Sequence, residues 1–72
     1  MNELNGFKIT KRDRVLRAWQ VSTGLVREYQ EYAREIENED KELSKTFAQL
    51  SENEAHHSAL LLNALQSYES TK

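Results

Sequence analysis

With 72 residues, 10 lysines and arginines against 12 acidic residues, and no cysteine, the chain makes at most one small domain without disulfides or thiolate metal sites. The near-balanced charge offers no concentrated basic face for nucleic acid or an anionic membrane, and no apolar run approaches a membrane span or a signal-peptide core. A chain of this size buries only about 60% of its unfolded surface, so added stability is expected from metal ligation by Glu, Asp and His or from oligomerisation.

The absence of cysteine fits a reducing compartment, and a soluble cytoplasmic protein is expected. Residues 1–9 show no apolar period and read as a tail, with Phe7 and Ile9 available to tie it down. The basic residues between positions 8 and 17 are interrupted by Asp13 and read as a solvated helix start. Thr10-Lys11-Arg12-Asp13 has the form of a capping box, which satisfies free backbone N–H groups.

A helical period follows. Val15, Trp19, Ser22, Val26, Tyr29, Ala33 and Ile36 recur at alternating steps of four and three, with Ser22 the polar exception. No proline occurs anywhere, so a helix is predicted over about residues 11–37. Residues 37–40 are polar and join two elements, with Asn38 or Asp40 able to cap the second. The second helix, predicted over about 41–69, steps through Leu43, Phe47, Leu50, Glu54, His57, Leu61, Ala64 and Tyr68. Two ionisable residues, Glu54 and His57, interrupt this otherwise apolar seam.

The short connection predicts an all-α antiparallel hairpin over residues 10–72. Folding about residues 39–40 pairs Ile36 with Leu43, Ala33 with Phe47, Tyr29 with Leu50, Val26 with Glu54 and Ser22 with His57. Leu25, Leu60, Leu62 and Leu65 widen the apolar surface beyond what one partner helix covers. A second hairpin is therefore expected, giving a four-helix bundle by formation of a homodimer or higher homo-oligomer.

Glu54 and His57 stand three residues apart and so share one helical face. A buried, unpartnered carboxylate costs several kcal/mol, which leaves three readings. Two-fold symmetry brings two Glu-His pairs together as ligands for iron, zinc or manganese. Alternatively the pair is a hydrogen-bonded ion pair that fixes register and oligomer state, or an offset dimer leaves both residues facing solvent. Glu28 lies off the seam but is a candidate third ligand, because a flanking carboxylate can swing inward. His56 points about 100° away and reads as a surface residue. Tyr29 and Tyr32 read as core and boundary aromatics, and Trp19 as a core anchor. No nucleophile–base–orienter set and no glycine-rich phosphate loop supports a hydrolase or a nucleotide binder.

Glu39-Asp40-x-Glu42-Leu43, then Phe47, Leu50, Glu52, Glu54 and His57-Ser58-Ala59-Leu60-Leu61 resemble the second helix of rubrerythrin-type ferritin-like domains. Tyr29 with Tyr32-Ala33 similarly resembles the first-helix aromatic segment. This resemblance, over residues 26–65, implies hairpins that each give a Glu from helix one and a Glu-x-x-His from helix two to a di-iron site. Compact members, the encapsulated ferritins, carry one hairpin per chain and build the site between subunits. The likeness casts Glu54 as bridging carboxylate, His57 as imidazole ligand and iron as the cofactor. It departs at helix one, where Ser22 stands two turns before Tyr29 in place of the expected Glu, so ferroxidase or peroxidase activity is not implied. Residues 66–72 carry no apolar docking peptide of the kind found on encapsulated cargo. Two functions are thus expected to compete: a metal site shared between subunits, with weak oxidase chemistry, and a metal-free hairpin acting as an assembly module.

Overall fold

A computed structural model describes residues 8–69, the Glu69 side chain apart. Residues 1–7 and 70–72 lie outside the described residues, and with them Phe7 of the expected tail; Ile9 is exposed. Two helices, α1 (Lys11–Ile36) and α2 (Lys41–Glu69), pack as an antiparallel hairpin. No strand occurs among the described residues.

The expected capping box forms. Thr10 is extended, and its Oγ1 accepts from the Asp13 N–H at 3.0 Å while its own N–H donates to Asp13 Oδ2 at 3.0 Å. That backbone N–H, then the Thr10 side chain, and lastly the nearby Arg12 and Arg14 hold the Asp13 carboxyl below the ordinary carboxylate value. At the other end of α1 the Ile36 carbonyl accepts from both the Glu39 and Asp40 N–H groups, at 2.9 and 2.8 Å. Asp40 then caps α2, its Oδ1 accepting from the Leu43 N–H at 3.0 Å.

The register differs from the sequence expectation by about one helical turn. The Ser44 hydroxyl donates to the Ala33 carbonyl at 2.7 Å and the Ser51 hydroxyl to the Val26 carbonyl at 3.0 Å. Ala33 therefore faces Ser44 instead of Phe47, Val26 faces Ser51 instead of Glu54, and Ser22 faces Glu54 instead of His57. The physical cause is side-chain size. Ser44, Ser51 and Ser58 recur every seven residues, and small side chains let a hydroxyl reach across to a backbone carbonyl. Leucines do not fit that gap, so Leu43 and Leu50 are turned outward, 43% and 38% exposed.

This leaves an inverted burial pattern. The buried polar residues are Ser22, Ser51 and Ser58, whereas Leu65 is the single buried hydrophobic among the described residues. Phe47 is wedged between Tyr29, stacked at 6.2 Å, and Tyr32, edge-on at 5.3 Å. The molecule measures 11 Å in its thinnest direction, about one helix diameter, so both broad sides of the hairpin are open. One side is a polar cleft along Gln30, Arg34, Glu37, Ser44 and Glu52. The opposite side carries Leu25 and Tyr32 from α1, and Leu43, Leu50 and His57 from α2.

Candidate metal centre

Glu54 rides on the inward stripe of α2, between Ser51 and Ser58, and so enters the space between the helices. Its Oε2 accepts a short hydrogen bond, 2.6 Å, from the Ser22 hydroxyl, in the range of bonds to an ionised carboxylate. The same hydroxyl lies 3.3 Å from the Glu54 backbone carbonyl. The other oxygen, Oε1, lies 3.4 Å from His57 Nδ1.

The two side chains do not share one environment. Glu54 is 19% exposed and His57 60% exposed. His57 is therefore not on the seam between α1 and α2, where the four-and-three spacing placed it. The serine stripe occupies that seam, and His57 is rotated to its leucine-bearing rim. A separation of 3.4 Å is long for a strong N–H···O bond. It does match two ligand atoms on one ion: donors about 2.1 Å from a metal at a tetrahedral angle stand about 3.4 Å apart.

The other sequence candidates are not brought to this place. Glu28 is exposed on α1, six residues beyond Ser22, a rise of about 9 Å along the helix. His56 is exposed and turned away from the hairpin. No group of three or more His, Cys, Asp or Glu residues able to hold a metal occurs among the described residues. One chain thus offers a carboxylate and an imidazole, two donors where a tetrahedral shell needs four. A complete di-iron centre does not fit within it. The residue whose role the sequence did not reveal is Ser22, which grips the carboxylate. The signal pointing to its true neighbour was the seven-residue serine repeat at 44, 51 and 58.

Residues 23–72 match the family model described as Rubrerythrin. No curated protein and no solved structure matches the chain. Among the described residues no helix is long and apolar enough to cross a membrane.

Proposed function

The chain belongs to the rubrerythrin family of ferritin-like proteins, and from that premise we propose that it is a metal-binding hairpin, with iron as the expected ion, whose site is shared between subunits. Glu54 and His57 of one chain meet the same two residues of a second copy across the leucine-bearing side. A homodimer, or a higher oligomer built from it, then closes a four-helix bundle around two carboxylates and two imidazoles. Zinc and manganese suit the same donors.

One observation carries this reading. A carboxylate and an imidazole with donor atoms 3.4 Å apart interrupt a side otherwise marked by exposed Leu43 and Leu50. Glu54 is bonded to Ser22 across the helices, whereas His57, 60% exposed, faces outward beside it. A bound ion supplies Lewis acidity and, if it is iron, one-electron chemistry. The protein's own part is to bind through Glu54 and His57, to hold the Glu54 carboxylate through Ser22, and to exclude water with the surrounding leucines.

Protein purified without chelator, assayed for metal content and titrated with ferrous iron, tests the proposal. Wild type is expected to take up iron and His57→Ala to lose most of that uptake. Sub-stoichiometric metal with no uptake on titration overturns it.

The Ser22–Glu54 bond favours a second reading, because it gives the carboxylate a partner without any ion. In that case the hairpin is a metal-free assembly module. Glu54→Leu/His57→Leu then keeps or raises the melting temperature, as replacing a buried polar pair by packed apolar groups often does. A lowered melting temperature, with the wild-type value raised specifically by added metal, rules this reading out.

A further inference from the structure

We infer that the open end of the hairpin, where α1 begins and α2 ends, docks on an anionic lipid membrane. The near-balance of charge over the whole chain conceals an uneven distribution. Residues 8–17 hold Lys8, Lys11, Arg12, Arg14 and Arg17 against Asp13 alone, whereas residues 27–52, around the joint, hold four cations against eight acids. Asp13 belongs to the capping box, with its carboxylate turned back on the Thr10 N–H, while Lys8, Lys11, Arg14 and Arg17 are exposed. Ser22 faces Glu54 in an antiparallel pair, so the basic stretch runs beside the last turns of α2. There residues 58–68 carry no charged side chain. A basic open end opposite an acidic joint turns the open end toward a negative surface.

The same end exposes apolar groups. Ile9 is 67% exposed, Leu60 56% and Val21 49%. The Ile9 backbone is held by Arg14, whose Nη1 donates to the Ile9 carbonyl at 2.8 Å. Between Ile9 and Ala18 lies an open, mostly apolar hollow of about 580 Å³, walled by Arg14 and Arg17 and edged by Asp13. Arginine and lysine stems lie well against acyl chains while their charged heads stay level with lipid phosphates. Cations for phosphates, set among apolar groups for the acyl boundary, are the combination a bilayer surface calls for. A nucleic acid would engage the cations and leave Ile9, Val21 and Leu60 in water. No described helix is long and apolar enough to cross a membrane, so the contact stays at the surface.

The test sediments the full chain with vesicles of phosphatidylcholine alone and of phosphatidylcholine mixed with phosphatidylglycerol. Binding is expected to the mixed vesicles only, and to weaken as salt is raised. Each cation beside an anionic surface strengthens binding about fivefold, so Lys11→Gln/Arg17→Gln is expected to bind about 25-fold more weakly. Lys41→Gln/Lys45→Gln makes the same charge change at the joint and is expected to bind as wild type does. Ile9→Ser is expected to bind about 10-fold more weakly, through lost apolar burial. All five substituted residues are exposed, so the helical circular dichroism of each variant should match wild type. No binding to the mixed vesicles, or equal binding to both kinds, overturns the inference. Equal weakening by the two double variants overturns its assignment to the open end, and unchanged binding by Ile9→Ser overturns the part given to the apolar groups. Tighter binding to duplex DNA than to the mixed vesicles overturns the lipid partner in favour of nucleic acid.

Discussion

The two broad sides of the hairpin are built from the same pair of helices yet are finished differently. On one, Ser44 and Ser51 send hydroxyls onto the carbonyls of Ala33 and Val26, and the rim is charged, with Arg34, Glu37 and Glu52. On the other stand Tyr32, Leu43 and Leu50, each between 38% and 43% exposed. The first side completes its hydrogen bonds within one chain. The second leaves large apolar groups exposed in the single chain. The comparison teaches that burial within this hairpin is assigned to small polar residues, which draw the helices together, while large apolar side chains on the other side stay exposed in the single chain. Glu54 sits at the boundary of the two regimes, held from one side by a serine and open on the other toward His57.

The largest break in that asymmetry is expected from Leu50→Glu. If a second copy covers the leucine side, a charge at its centre costs several kcal/mol and abolishes the dimer in sedimentation equilibrium. At about 4–8 °C per kcal/mol for a domain of this size, the melting temperature falls by about 10 °C or more. An unchanged mass and melting temperature would show that the leucine side is free in solution. Ser51→Val probes the opposite side. It removes the bond to the Val26 carbonyl and puts a branched side chain where a 4%-exposed serine fits. Denaturant unfolding is expected to show a loss of about 1–3 kcal/mol from overpacking.

Gly24→Ala sharpens the picture from outside both sides. A methyl group added there meets nothing within 4 Å, so the intrinsic helix preference for alanine should raise stability by about 1 kcal/mol, read from the same unfolding curves. The smallest effect belongs to Asp13. Its carboxyl titrates below the ordinary 3.8 in the folded chain, so its contribution is present above that value and fades as pH falls through the lower folded value. The Thr10 and Asp13 amide proton shifts should follow that acid transition, and Asp13→Asn should remove it.

Much of the fold is legible in the sequence. The four-and-three recurrence, the lack of proline, the Thr10–Asp13 box and the polar joint at 37–40 place both helices, and the structure differs only by ending α1 at Ile36. The register is not legible in the same way. The apolar stripe is wider than the contact with the sister helix, and spacing alone does not say which residues face that helix. Leu43 and Leu50 are the more hydrophobic choice for the inner seam, yet Ser44, Ser51 and Ser58 take it because close approach and cross-helix hydrogen bonds favour small hydroxyl side chains. The same rotation explains the site. Glu54 holds its inward place in either arrangement, His57 moves to the rim, and Ser22 shifts from facing an imidazole to gripping a carboxylate.

The doubly engaged Ile36 carbonyl at the joint has a consequence for how the chain acquires its shape. It pins residues 36–40 through bonds that span only three and four residues, so the joint closes at little loop-entropy cost. From there the Ser44–Ala33 bond, then Ser51–Val26, then Ser22–Glu54 can form in sequence, each loop closed on the one before it. Such local, stepwise topology is the kind that folds in microseconds to milliseconds. Refolding should therefore show a rapid helical phase whose rate is independent of protein concentration; a slower phase that speeds up with concentration would mark the proposed pairing of two hairpins.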